Sequence, residues 1–234
     1  MGSRTMNFEE IRWGQLVTIT LAWIAYALLH SLLASLVVKR FVARHRPQWM
    51  SVYRLFFNVS AMLLLIPPLV LTYMQRGPWL WQWVGGGWWV ANSLAALAAL
   101  GFFYSLRWYD GAEFLGLRQW RGDVRSVEDQ ERFHLSPLHR FVRHPWYSLG
   151  LVLIWTRDMD APLLVTAVVI SLYFVIGSRF EEVKLLEYHG DVYRRYRHLV
   201  PSLVPLPWRY LKPEHARSLA MSTAPEKEVG GKNA

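Results

Sequence analysis

Apolar runs free of charged side chains alternate along the chain with short charged stretches, and their lengths predict membrane-crossing helices. A helix needs about 20 mostly apolar residues to cross the hydrocarbon of a bilayer. Residues 16–38 form the first such run, between Arg12 and Lys39-Arg40. Residues 55–75 form the second, between Arg54 and Arg76. Its Pro67-Pro68 pair is expected to kink it, which neighbouring helices tolerate. Residues 88–106 form the third, entered after Gly85-Gly86-Gly87 and closed by Arg107. Trp79, Trp81, Trp83, Trp88 and Trp89 crowd its entrance, as side chains of a membrane interface do. Two further runs, 146–156 and 161–178, are separated only by Arg157-Asp158-Met159-Asp160, which predicts a tight helical hairpin. The first arm is short. Residues 143–156 rise only about 20 Å as a helix, so the arm must begin inside the membrane boundary or in a polar recess.

The pattern is that of an all-α integral membrane protein with about five transmembrane helices. Between the third run and the hairpin, residues 107–143 turn polar, with Asp110, Glu113, Asp123, Glu128, Asp129 and Glu131 among Arg118, Arg121, Arg125 and Arg132. No internal repeat is visible. The first run is too long for the core of a cleaved signal peptide, and no small-residue cleavage site follows it. Residues 1–5 are expected to be an added remnant ahead of a natural start at Met6.

Composition sharpens this picture. Of 234 residues, 53% are apolar and only 18% charged, against about 25% in a soluble domain. The absence of Cys excludes a disulfide scaffold, a cysteine nucleophile, a thiolate zinc site and S-palmitoylation. The net charge is +9, and segments 39–54, 107–143 and the tail from Arg179 hold nearly all of the Lys and Arg. Such clustering marks cytoplasmic loops near membrane lipid rather than a nucleic-acid surface. It orients the chain with its N-terminus outside and its C-terminus in the cytoplasm, across the inner membrane if the source is bacterial. His134, His139, His189 and His198 lack the spacing of metal ligands on one face, so no metal is expected.

Candidate chemistry gathers at the hairpin. In Arg143-His144-Pro145-Trp146-Tyr147, Pro145 suits the first helical turn, where its missing N–H costs nothing. His144 then lies near the N-cap, at a helix start that attracts carboxylate or phosphate oxygens, and Tyr147 follows one turn on. Arg179-Phe180-Glu181-Glu182 closes the other arm. Two carboxylates at a membrane boundary are costly unless they meet a cation. Glu181 is expected to pair with Arg179 or Lys184. A hairpin brings its two feet together, so His144 and Glu182 should be neighbours. Gly190 can end a helix, and Tyr193 and Tyr196, three apart, share a face of the next. Helix N–H groups, a carboxylate and aromatic walls suit a zwitterionic amino acid with a large apolar attachment, such as S-adenosylmethionine.

The ordered set Arg143, His144, Pro145, Tyr147, Glu181, Glu182, Gly190, Tyr193, Tyr196, Val200 and Pro201 resembles the isoprenylcysteine carboxyl methyltransferase and phospholipid methyltransferase superfamily. The resemblance spans residues 136–205. It implies a membrane enzyme that binds S-adenosylmethionine in its C-terminal half. Carried over by position, Arg143, His144, Pro145 and Tyr147 would line the cofactor, Glu182 would hold its ammonium, and Tyr193 and Tyr196 would close the pocket. Leu29-His30-Ser31-Leu32-Leu33-Ala34-Ser35, Tyr53-Arg54-Leu55 with Asn58, and Leu115-Gly116-Leu117-Arg118-Gln119 look like the methanethiol S-methyltransferase branch. This places His30, Tyr53, Arg54 and Asn58 on the acceptor side, although His30 and Asn58 inside spans also suit hydrogen bonding between helices.

The domains expected are a three-span region (1–106), a cytosolic connecting segment (107–142), a catalytic hairpin with a cytosolic cofactor-binding tail (143–212) and a disordered tail (213–234). Leu199 stands where the carboxyl methyltransferases tend to carry a basic residue before Val-Pro, which leaves room for a neutral or thiol acceptor. The expected reaction is methylation of a small lipophilic acceptor, a thiol first. Carboxyl O-methylation of a prenylcysteine and lipid N-methylation are the alternatives, with a non-catalytic membrane accessory as a further one. Methyl transfer from a sulfonium chiefly requires alignment of donor and acceptor, which can supply about 7–11 kcal/mol. No side chain is expected to be an obligatory general base.

Overall fold

The computed structural model describes residues 12–122 and 135–214. Residues 1–5, residues 123–134 of the polar segment, and the tail beyond residue 214 lie outside the described residues. The helices are α1 (Trp13–Ala34), α2 (Leu36–His45), α3 (Met50–Met74), α4 (Gly86–Ser105), α5 (Gly111–Leu115), α6 (Leu117–Trp120), α7 (Pro145–Trp155) and α8 (Ala161–Leu199). Two short strands, β1 (Trp79–Trp81) and β2 (Met159–Asp160), pair antiparallel. The described chain forms two compact units, one of residues 12–122 and 149–176, the other of residues 135–148 and 177–214.

Within the first unit, α1, α3, α4 and the apolar part of α8 carry the membrane-crossing character, so the protein is an all-α integral membrane protein. Four helices are long and apolar enough to cross a bilayer. Leu21, Met62 and Leu97 are 60%, 72% and 63% exposed, a surface that lipid covers. The fifth apolar helix, α7, has 11 residues; it rises about 16 Å, roughly half a bilayer core. The run 16–38 is not one helix. Ser35 adopts an extended backbone, donates its hydroxyl to the Leu32 carbonyl at 2.7 Å and accepts from the Val38 N–H at 3.3 Å. One serine thus ends α1 and caps α2, a change of direction that the apolar pattern hides. Pro67 and Pro68 lie inside α3 without terminating it.

Polar side chains in these helices find partners, as a low-dielectric surrounding demands. The Trp23 indole N–H donates to the Thr166 hydroxyl at 3.0 Å and to Thr72 at 3.3 Å, and the two hydroxyls lie 2.8 Å apart. This links α1, α3 and α8. Asp160 has no solvent exposure. It accepts from the Leu163 N–H at 2.9 Å, capping the start of α8, and from the Arg76 guanidinium at 3.2 Å. Arg76 also lies over the rings of Tyr73 and Trp79. The tryptophan-rich turn expected only as an interface belt therefore contains β1, and the hairpin link contains β2.

The α5–α6 turn rests on α3. Gly116 has φ +88°, and a Cβ there would lie 2.7 Å from the Leu55 backbone nitrogen. Arg54 and Asn58 both donate to the Phe114 carbonyl, at 3.2 and 2.8 Å. In the last helix, Gly190 breaks the helical geometry at φ 49°, ψ −124°. The apolar stretch of α8 ends before Arg179, where its charged part begins.

Two outcomes are expected from thermal unfolding in detergent. Asp160→Ala should lower stability by about 1–3 kcal/mol, through loss of the cap and of the Arg76 partner. Gly116→Ala should destabilise by more than about 1 kcal/mol. Gly122→Ala, also at positive φ (+104°) but with open space around it, should cost less, and equal losses would remove the close-approach explanation.

Candidate functional site

The second unit is built by backbone pairing between the start of α7 and the segment after α8. The Arg143 N–H donates to the Pro201 carbonyl at 2.9 Å and the His144 N–H to that of Ser202 at 3.1 Å. Ser148 donates its hydroxyl to the Leu203 carbonyl. Further along, the Leu211 N–H donates to the Arg140 carbonyl at 2.8 Å, and Arg140 Nε returns a bond to the Leu211 carbonyl at 2.9 Å. Tyr193, Tyr196, Val200 and Leu211 make the apolar core beneath. The Tyr196 hydroxyl donates to the His139 carbonyl at 2.7 Å, fixing the turn that precedes Arg143. Pro145 opens α7 as its spacing predicts, and it is buried.

On this frame the charged groups converge. Arg143 donates from Nε and Nη2 to Glu182 Oε1, at 2.9 and 2.7 Å, with side chains only 8% and 3% exposed. Its Nη1 donates to the Arg197 carbonyl at 2.9 Å and also to that of Val200, satisfying carbonyls at the end of α8. His144 Nε2 lies 3.2 Å from the same Oε1, and Nδ1 lies 3.3 Å from Glu181 Oε2. The Ser202 hydroxyl adds a further bond to Oε1 at 3.2 Å. Every one of these Glu182 contacts falls on Oε1. The Tyr147 ring stacks on the His144 ring at 5.5 Å and 9°.

Electrostatics follow from this geometry. Burial alone would lower the His144 pKa, but hydrogen bonds to Glu181 and Glu182, with their charges, raise it above its ordinary value. With a carboxylate at each ring nitrogen, both nitrogens act as donors, the pattern of an imidazolium. Burial would likewise raise the Glu182 pKa, yet His144 and Arg143 hold it down at about 2. Burial, and then the Glu182 charge, push the Tyr193 phenol up.

The structure thus brings Arg143, His144, Tyr147 and Glu182 together around the start of α7. Tyr193 and Tyr196 are each 1% exposed and belong to the core of the same unit. Glu181 pairs with His144, in place of the expected Arg179 or Lys184, because the imidazole offers Nδ1 across the hairpin feet. Ser202 is a member that sequence reasoning missed; a serine after Val-Pro carries no signal of its own. The acceptor-side candidates lie in the first unit. His30 Nδ1 is 2.7 Å from the Tyr173 hydroxyl, and Tyr53 donates to the Leu33 carbonyl at 2.6 Å. Arg54 and Asn58 hold the α5 turn as described above. Among the described residues, no group of three or more His, Asp or Glu is placed to hold a metal ion.

Fold and site together define a multi-pass helical membrane protein with a charge-clamped polar site at the foot of its last hairpin. Comparison with known proteins supplies the family. The chain is 31% identical to the methanethiol S-methyltransferase of Mycobacterium tuberculosis, with 84% of this chain and 81% of that protein covered. It is 30% identical to methanethiol S-methyltransferase 2 of Bradyrhizobium diazoefficiens, covering 77% of this chain and 69% of that protein. The methanethiol S-methyltransferase of Pseudomonas deceptionensis is 30% identical over 54% of this chain and 53% of its own length, so the match spans about half of that relative. No protein-family model matches the chain, and no solved structure does. The chain belongs to the methanethiol S-methyltransferase family and is accordingly a membrane methyltransferase.

The site predicts a pH signature. A His144 pKa raised in the folded state stabilises the fold fully below about 6.5, and that contribution is lost as pH rises through the folded value. The depressed Glu182 pKa acts oppositely: its contribution is present above about 4.5 and lost only as pH falls through about 2. Thermal midpoints should therefore fall as pH rises from about 6, and His144→Gln should flatten that slope. An unchanged slope in the variant would remove the imidazolium from the account.

Proposed function

We propose that the protein transfers a methyl group from S-adenosylmethionine to the sulfur of a small lipophilic thiol, with the donor held by the second unit. The observation that carries the reading is the convergence of Arg143, His144 and Ser202 on one oxygen of Glu182. With Oε1 committed, Oε2 is left to accept from an ammonium. The Arg143 clamp makes the carboxylate anionic at every physiological pH, so it can hold a cation without a proton change. Tyr147, stacked on His144, offers an aromatic face beside it. Pro145 and the start of α7 favour a carboxylate at the helix N-terminus. Tyr193 and Tyr196 back the site from the core. These features suit an amino-acid headgroup whose attached sulfonium supplies an activated methyl group when bound.

Thiol as acceptor is the reading that the names of the relatives support, and Leu199, in place of a basic residue, agrees with an acceptor lacking a carboxylate. A thiol reacts as its thiolate, which a nearby positive charge favours, so no dedicated base is invoked. His30, Tyr53, Arg54 and Asn58 are retained as acceptor-side candidates. The distribution of Lys and Arg supports an N-terminus outside and a C-terminus in the cytoplasm, the membrane being the inner one if the source is bacterial.

Titration of the detergent-purified chain with S-adenosylhomocysteine tests the donor site. Glu182→Ala and the better-folding Glu182→Gln should each bind about tenfold more weakly or worse, the worth of a hydrogen bond to a charged group. Unchanged affinity in a folded variant would exclude Glu182 from the site. A radiolabelled methyl-transfer screen over thiols, farnesylcysteine analogues and ethanolamine lipids tests the acceptor. Labelled product is expected from thiols, and product only from the other two classes would overturn the thiol reading.

A further inference from the structure

An open-sided cavity of about 210 Å³ lies in the first unit, among α1, α3 and α8. Trp23, Tyr26, Ala27, Leu65, Tyr173 and Phe174 contribute to its wall. Its polar atoms are mostly committed elsewhere. The Trp23 N–H is used by Thr166 and Thr72, and the Tyr173 hydroxyl lies 2.7 Å from His30 Nδ1 and 3.3 Å from Ser31 Oγ. Tyr26 brings one further hydroxyl. Water needs two to four polar partners to settle in such a space, and this wall is mostly apolar. This cavity has room for one ring with a short substituent.

The wall also selects. Four aromatic rings line the space, and a thioether sulfur is polarizable, gains from contact with rings and demands almost nothing as an acceptor. We propose that this cavity binds one neutral methyl thioether of aryl or short alkyl type, the class of molecule that thiol S-methylation yields. The choice of ligand rests on the thiol reading above; the existence of a site for a small apolar molecule rests on the cavity alone.

The test uses the full chain in lipid nanodiscs and radiolabelled methyl phenyl sulfide, with ethylbenzene as the sulfur-free molecule of equal shape. One saturable site is expected, absent from empty nanodiscs, with methyl phenyl sulfide held at least about threefold tighter than ethylbenzene. Ala27→Phe, which fills the space, should weaken binding at least tenfold; should it not fold, Ala27→Leu should weaken it in the same direction. Glu182→Gln should bind the probe as the unaltered chain does, which separates this site from the donor site. Non-saturable partition, equal binding of the two probes, or binding undiminished in a folded Ala27 variant would overturn the proposal. So would binding in detergent that vanishes in nanodiscs, the sign that an acyl chain fills the space. Saturable, sulfur-preferring binding by a chain that methylates no thiol would leave the cavity standing and remove the reaction reading.

Discussion

The second unit depends on one buried ion pair, Arg143 with Glu182. Taking two charges out of water costs several kcal/mol per ion unless every donor and lone pair is used. Arg143 meets that condition by dividing its planar fork between a carboxylate and the carbonyls of Arg197 and Val200. The same side chain therefore neutralises Glu182 and terminates α8. A lysine, with a single nitrogen, could not span these acceptors. The polar site and the packing of the C-terminal segment thus share a cause, which is why the site's charge is set by the fold rather than by the solvent.

In the membrane-crossing unit the governing constraint is different. Lipid offers no hydrogen bonds, so each polar group must be answered by another helix or by its own turn. Thr18 and Thr20 turn back to carbonyls four residues earlier. Trp23, Thr72 and Thr166 answer one another across three helices. Arg54 and Asn58 answer the Phe114 carbonyl in α5. Their motif and the one around Gly116, far apart in the chain, are two sides of one contact.

Much of this was legible from the order of residues. The spans near residues 55–75 and 88–106, the hairpin, and the meeting of His144 with Glu182 follow from apolar run length and loop length. These properties are local. What stayed hidden depends on partners distant in the chain. Ser35 breaks an apolar run because its hydroxyl bonds back to Leu32, a geometry that no hydropathy pattern carries. The β1–β2 pairing joins a tryptophan turn to a hairpin link 80 residues on. Glu181 found His144 rather than a neighbouring cation because the hairpin feet, and not sequence proximity, decide distance. Tyr193 and Tyr196 share a face as their spacing implies, but that face is core.

Asp160 also bears on the order of assembly. The link of the last hairpin carries a buried carboxyl group, which is costly to bury alone. Its counter-charge, Arg76, lies 84 residues earlier, on a segment made long before the hairpin emerges from the ribosome. A hairpin made last thus meets a cation made earlier, and Asp160 joins its link to the tryptophan turn at that end of the first unit.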